Sequence, residues 1–314
     1  MTGVFPFIVR RLLAAIPVIF LVTVATFYLG RYAPGDPITA RTQGKASPET
    51  VARLKHQLHL DDNVAVQYVR YMGEVLRGNF GTSQRHVGQS VSSIIFPKMW
   101  ISLQENLYPF ILTFSIGIPI GIYLAMRRGH WQDPTVTALL LILSAIPVVI
   151  IIPTLQVVFA AKLKLLPVAG WHGIFSKNVI LPTVVLTVPG LAAIARLMRI
   201  SMLQVMNDDY VRTARAKGLQ ERIIILRHTV RNALLPMVTA IVGSLFFLFA
   251  GSFFVEYLFG IPGIGAESIA TINGRDYDEI MAITIISTVA FIVANMAVDI
   301  AYTFIDPRIR LNES

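Results

Sequence analysis

The chain has 314 residues, of which 54% are hydrophobic and only 14% are charged. A soluble domain carries about 25% charged residues, so this composition indicates that lipid surrounds much of the chain. The net charge of +9 does not require nucleic-acid binding, because membrane proteins carry an excess of Lys and Arg on their cytoplasmic loops. The absence of cysteine excludes disulfides, thiolate metal sites and a cysteine nucleophile.

Six long charge-free runs predict six membrane-spanning helices. A helix needs about 20 apolar residues to cross the hydrocarbon core, and no run alternates with the period of two that a barrel strand requires. The first run is predicted to be an uncleaved span rather than a signal peptide, because no small-residue cleavage site follows it. The sequence therefore predicts an all-α integral membrane protein whose spans contain 12–30, 106–126, 134–161, 178–195, 232–255 and 280–298.

The distribution of Lys and Arg predicts the orientation of these spans. With the N-terminus inside, the inner segments 1–11, 127–133, 196–231 and 307–314 hold 14 basic residues, whereas the short outer loops hold four. Short cytoplasmic loops carry the excess of positive charge. We therefore expect a multi-pass protein of a bacterial or archaeal plasma (inner) membrane with both termini in the cytoplasm.

The long polar segment 31–98 is predicted to form a small helical subdomain outside the membrane. Ser47 followed by Pro48 is typical of a helix start, and a second amphipathic stretch is expected to end at Gly78. An irregular loop is the alternative. The apolar faces of the two predicted helices contain Val51, Leu54 and Leu58, and Val64, Tyr68, Tyr71 and Val75.

The domain organisation follows from these spans. Residues 1–30 are predicted to form the N-terminus and first span, 31–98 the outer segment, 99–307 the transmembrane core with cytoplasmic segment 196–231, and 308–314 the cytoplasmic tail. Prolines predict kinks in the third and fourth spans; they are Pro147, Pro153, Pro182 and Pro189.

Motifs of common enzymes are absent from the sequence. It contains no G-x-x-x-x-G-K-[ST], H-E-x-x-H or G-x-S-x-G. His56 and His59 are interpreted as solvated residues of the outer segment rather than as a metal site. Asp299, with Asn295 one turn earlier, is a possible intramembrane polar site; the alternative is a hydrogen-bonded group near the cytoplasmic end of the last span.

The basic stretch "DDYVRTARAKGLQERIIILRHTVRNALLP", residues 208–236, is predicted to form a cytoplasmic helix, a turn and a second helix. Asp208 or Asp209 is expected to cap the first helix, and Gly218 to end it. A second helical stretch over 220–231 then leads into the fifth span. The small residues Ala214, Ala216 and Gly218 would let another protein approach closely. An ordinary basic loop is the alternative.

This stretch resembles the cytoplasmic coupling motif of ABC importer permeases, in the oligopeptide, dipeptide and nickel class. The resemblance extends to "GIPIGIYLAMRRGHWQD", "VEYLFGIPGIG", "NGRDY" and "VDIAYTFIDPRIR", and it indicates a B-type permease subunit. The general motif is E-A-A-x-x-x-G, but Arg212 and Thr213 occupy the positions of its first Glu and Ala, so no salt bridge from that glutamate is assumed. The assigned coupling helix comprises Asp209, Tyr210, Arg212, Thr213, Ala214, Arg215, Ala216, Lys217 and Gly218.

The resemblance implies a type I ABC importer permease fold and a set of partners. These are a second, C-type permease subunit, two ATPase subunits that bind ATP and Mg, an extracytoplasmic substrate-binding protein and the lipid membrane, with no nucleic acid. The chain itself would bind no cofactor and catalyse no reaction. Di- or oligopeptides are the expected substrates, and nickel or a metal chelate is the alternative within the class. A stand-alone secondary transporter or channel would need more ionisable residues within the spans, and the missing motifs disfavour an intramembrane enzyme.

Overall fold

A computed structural model describes residues 4–32, 47–57 and 61–305, and these residues are mainly helical. Four helices are long and apolar enough to cross a membrane. They are α1 (Val4–Tyr32), α4 (Val91–Met126), α7 (Ile180–Val205) and α13 (Tyr277–Ile305). The other helices are α2 (Pro48–Gln57), α3 (Val64–Leu76), α5 (Gln132–Ala145), α6 (Val148–Lys162), α8 (Asp209–Ala216), α9 (Glu221–Ala233), α10 (Leu235–Ala250), α11 (Phe253–Phe259) and α12 (Ile264–Gly274).

Three pairs of successive helices are bent and decide how many spans the chain has. The pair α5–α6 bends by 91°, α9–α10 by 42° and α11–α12 by 87°. At 1.5 Å per residue, α11 and α12 are about 10 and 16 Å long, too short for either to cross a core of about 30 Å. We interpret α11–α12 as a re-entrant hairpin, which leaves the six predicted spans. The kink predicted in the third span is a right-angled break at Pro147.

The centre of the fold is the contact between α4 and α7. Gly117 and Gly121 of α4 form a G-x-x-x-G pattern in "GIPIG", which brings two membrane helices close together. A Cβ atom on Gly121 would lie 2.5 Å from the carbonyl oxygen of Ala195 and 2.6 Å from Cβ of Met198. No side chain would therefore fit at position 121. Half of the residues in the most apolar part of α7 are buried, whereas only 17% of those in α1 and in α13 are. Helix α7 is therefore central, and α1 and α13 are peripheral.

The outer segment contains both predicted helices. The amide of Thr50 donates to Oγ of Ser47, 3.3 Å away, which confirms the predicted start of α2. Helix α3 packs against α1, where Oγ1 of Thr23 and the hydroxyl of Tyr68 lie 2.8 Å apart. Gly78 has a φ of +80° and lies just beyond α3, as predicted. Leu58 and His59 are outside the described residues, and His56 lies 3.8 Å from Asp61.

Buried carboxylates hold the outer loops against the core. Asp276 is fully buried, and its Oδ2 accepts hydrogen bonds from Oγ of Ser83 at 2.6 Å and from the amides of Gln84 at 2.6 Å and Arg85 at 2.9 Å. In the re-entrant hairpin, Glu256 accepts hydrogen bonds from Oγ of Ser102 at 2.7 Å and from the amides of Ser252 and Ala266. These bonds fix the loop before α4 and the hairpin α11–α12 in one arrangement.

Candidate coupling site

Helix α8 forms the first half of a helical hairpin whose second half is α9. Val211 and Ala214, one turn apart, are buried and pack with the fully buried Ile224 of α9. Both helices predicted from the sequence are therefore present, with α9 running from Glu221 to Ala233 and including a π-helical stretch over Ile224–Thr229. This small cluster of apolar side chains fixes which face of α8 is turned towards the rest of the chain.

The ends of α8 agree only in part with the sequence prediction. Asp208 occupies the N-cap position, but its side chain makes no capping hydrogen bond. Asp209 instead lies 3.6 Å from Arg212. The start of α8 therefore depends on the extended backbone of Asp208 and on the favourable interaction of an acidic first turn with the helix dipole.

Gly218 ends the helix by adopting a left-handed conformation. Its φ is +75°, a value that residues other than glycine rarely adopt. No atom lies within 4 Å of the position where its Cβ would be. Within the described residues, the requirement for glycine therefore comes from the backbone conformation and not from a close contact.

Ala214 is not available as a point of close contact with another protein. Only 8% of its surface is exposed, because it faces Ile224 and Val211. The sequence analysis chose Ala214 because it is small, and small size does not show which surface covers a residue; the place of Ala214 in the coupling helix stays a prediction. The residues that α8 presents to solvent are Asp209, Tyr210, Arg212, Thr213, Arg215 and Ala216, and the exposed Lys217 follows at its end.

Polar bonds close the hairpin at both of its ends. Arg215 donates two hydrogen bonds to Glu221, at 2.7 and 3.2 Å, across the turn at Gly218. These bonds raise the pKa of Arg215, whose guanidinium is in any case charged throughout the physiological range. At the other end, the side-chain amide of Asn232 donates to the hydroxyl of Tyr210 at 2.7 Å. The exposed face of α8 is therefore basic and held in place.

The hairpin is packed against the membrane helices α7 and α10. Oγ of Ser201 in α7 donates to the buried carbonyl of Ala233 at 2.9 Å. Ile225 and Ala233 belong to the same apolar cluster as Met198 and Met202 of α7. The hairpin is therefore joined to α7 and α10 by packed side chains rather than by a loose linker.

An ion pair connects the first turn of α5 with α7. Arg199 donates to both carboxylate oxygens of Asp133, each at 2.6 Å, in the bidentate geometry that suits a guanidinium. Asp133 is buried and Arg199 half-buried. Neither Arg199 nor Asp133 was predicted as a site residue, although Asp133 lies in "GHWQD", a segment that carries the family resemblance. The same is true of Asn232, which lies in "RNALLP".

Asn295 and Asp299 do not form a joint polar site. The amide of Asn295 donates to the carbonyl of Phe291 in its own helix at 2.9 Å. Asp299 forms an ion pair with Arg11 of α1, with Nε 3.1 Å from Oδ2. The alternative interpretation of Asp299 as a structural group near the inner end of the last span agrees with this pairing.

Comparison with known proteins identifies the family. The model of the binding-protein-dependent transport system inner membrane component matches residues 117–311, and the model of its N-terminal part matches residues 4–101. The chain belongs to the family of binding-protein-dependent transport system inner membrane components. It is therefore a permease and not an enzyme, and it lies in the membrane as a multi-pass protein. Membership implies ATPase and substrate-binding partners.

Individual relatives are similar over nearly the whole chain. The oligopeptide transport system permease protein OppB of Escherichia coli K12 is 36% identical over 304 residues, which cover 97% of this chain and 99% of the relative. The dipeptide transport system permease protein DppB of Bacillus subtilis is 34% identical over 308 residues, 98% of each chain. A probable peptide ABC transporter permease of Sinorhizobium fredii is 35% identical over 310 residues, covering 97% of this chain and 99% of the relative.

A solved structure supports the fold. The chain is similar to an inward-facing structure of the MetNI methionine ABC transporter, with a TM-score of 0.50 and 19% identity over 68% of this chain and 97% of that chain. At this identity the likeness concerns the fold alone, which is that of a type I ABC importer permease.

Proposed function

We propose that the chain is the B-type permease subunit of a peptide importer, pairing with a different, C-type permease subunit to enclose the path for di- or oligopeptides. The high identity to permeases named for oligopeptides and dipeptides, over nearly the full chain, supports peptides over the alternative of nickel or a metal chelate. The six spans, with both termini and residues 196–231 in the cytoplasm, supply half of the path.

Helix α8 is the part of this chain that receives the force of ATP hydrolysis. ATP and Mg bind to the partner ATPase subunits, and α8 docks in a groove of one of them through its solvent-facing side chains. The supporting observation is that α8 carries an exposed basic face while its opposite face is packed on α9. Because α9 is packed on α7, closure of the ATPases moves the spans between inward-open and outward-open states.

The proposal is tested by reconstituting the chain with its partner permease, its ATPases and its binding protein in vesicles. ATP-dependent uptake of a tripeptide and of nickel is measured in parallel. Tripeptide uptake supports the proposal. Nickel uptake without tripeptide uptake contradicts the peptide assignment, and uptake by the chain without the ATPases contradicts the assignment of an importer driven by its partners.

A further inference from the structure

An open cavity of about 460 Å³ lies beside the outer part of the central helix α7. Its walls are Tyr108 and Leu112 of α4, the loop residues Phe175 and Lys177, and Thr183 and Val184 of α7. The volume falls within the range of 300–1,000 Å³ that is usual for small-molecule sites. The walls are mainly apolar, so the cavity suits a compact apolar group.

One cation at this cavity has no ion-pair partner within the described part of the chain. The ammonium group of Lys177 is exposed and forms no ion pair with a described residue. The hydroxyls of the lining do not point to a ligand, because Oγ of Ser176 donates to the carbonyl of Gly173 at 2.8 Å and Oγ1 of Thr183 has no accessible surface. A lysine ammonium attracts a carboxylate by a charge-assisted bond.

Resting on the proposed function, we infer that this cavity is a subsite for the C-terminal residue of a peptide in transit. Lys177 binds the terminal carboxylate, and the apolar walls hold the last side chain. Charge complementarity selects this occupant, since one cation beside an apolar cavity matches one carboxylate beside an apolar side chain. The cavity lies beside α7, which is the most buried of the four long spans rather than a peripheral one.

The exposure of Phe175 agrees with this inference. Its side chain is 92% exposed in this chain, at the edge of the cavity and close in sequence to Lys177. Aromatic side chains contribute large contact areas where a ligand is bound. A peptide placed against Lys177 would therefore cover an aromatic ring that this chain by itself leaves in solvent.

The test compares the free acid and the C-terminal amide of Ala-Ala-Phe as transport substrates of the reconstituted complex. Lys177→Met should lower the preference for the free acid about tenfold, because the variant lacks the charge-assisted bond. Lys177→Arg should retain the preference. Lys162→Met, which removes an exposed lysine at the end of α6 that does not line the cavity, is the matched control and should behave like the parent. The binding protein is the same in every sample, so a change in preference is due to the permease.

A second variant tests the apolar walls. Val184→Trp fills the cavity and should lower the uptake of Ala-Ala-Phe several-fold more than the uptake of Ala-Ala-Ala. Equal loss for both peptides would contradict the subsite.

The outcomes separate this inference from the proposed function. If the parent complex imports no peptide, the proposed function is wrong. If it imports peptides and Lys177→Met matches Lys162→Met, the subsite is wrong and the function stands. Loss of the partner permease on purification of Lys177→Met would show that the cavity is a subunit interface. If Lys177→Met lowers the uptake of acid and amide equally, and only in vesicles that contain anionic lipid, the cavity is a lipid contact. Both results overturn the inference.

Discussion

The side-chain amide of Asn232 donates a hydrogen bond of 2.7 Å to the hydroxyl of Tyr210, and this bond ties the base of the fifth span to α8. The two residues are 22 positions apart, on opposite arms of the helical hairpin. Together with the Arg215–Glu221 pair at the turn, the bond joins the two arms at both of their ends. The hairpin is thus suited to transmit a displacement, which is the role that we propose for it.

Breaking this bond should reduce coupling without preventing assembly. Tyr210→Phe removes only the hydroxyl, and loss of one partly exposed hydrogen bond costs about 0.5–1.5 kcal/mol. We expect the ratio of peptide transported to ATP hydrolysed to fall several-fold, while the ATPases still co-purify. Asn207→Ala removes an exposed amide that bonds only to the nearby carbonyl of Leu203 and is the control. A transport-to-hydrolysis ratio equal to that of Asn207→Ala would show that the Tyr210 bond is not used.

Two glycines with open surroundings allow the effect of backbone conformation on stability to be measured without an effect of steric contact. Neither Gly218 nor Gly73 would place a Cβ within 4 Å of another atom, but only Gly218 has a positive φ, of +75°. Gly218→Ala should therefore destabilise the hairpin by roughly 1–2 kcal/mol, whereas Gly73→Ala in α3 should be neutral or stabilising by up to ~1 kcal/mol. Thermal unfolding of the assembled complex measures both. Equal midpoints for the two variants would contradict the left-handed stop at Gly218.

The crossing of α4 and α7 should not tolerate a single methyl group. In Gly121→Ala the added Cβ would meet the carbonyl of Ala195 at 2.5 Å, so the helices must separate. Overpacking of this kind costs about 1–3 kcal/mol. Gly243→Ala is the matched control, because the nearest side-chain atom, from Val298, would be 3.9 Å away. We expect a lower unfolding midpoint for Gly121→Ala alone; an unchanged midpoint would contradict the close packing of these helices.

Asp276 should hold the loop before α4 in place. Asp276→Ala leaves the hydroxyl of Ser83 and the amides of Gln84 and Arg85 without their acceptor, at roughly 1–3 kcal/mol for each buried group that stays unpaired. Hydrogen exchange of residues 81–90 should become faster. Asp61→Ala, at an exposed position, is the control. Unchanged exchange in Asp276→Ala would refute the role of this carboxylate.

The parts of the site that the sequence predicts are those determined locally. Gly218 ends α8 because a left-handed residue is a local requirement, and α8 forms because no helix breaker lies between Tyr210 and Lys217. The burial of Ala214 depends on Ile224, which reaches it only after the chain has turned, and the pairing of Arg11 with Asp299 joins the two ends of the sequence. Neither contact has a local signal.

The helix contacts in the membrane also divide into those with a local sequence signal and those without one. The pattern at Gly117 and Gly121 could be read directly as a close crossing, because only small residues let two helices approach. The right-angled break at Pro147 is different, since proline predicts a kink but not its size. That angle is set by the packing of α6 against α7 and α11, through the apolar cluster that contains Ile152, Val185 and Phe259.

The central claim is that the exposed face of α8 docks on an ATPase subunit, and a single cysteine tests it most directly. The chain has no cysteine, so Ala216→Cys places one reactive thiol on this face, and Leu163→Cys places one in the predicted outer loop. In membranes containing the whole complex, a short bifunctional reagent should link Cys at position 216 to an ATPase subunit, and Cys at position 163 to none. Failure of position 216 to link to an ATPase, in a complex that still imports peptide, would contradict the account.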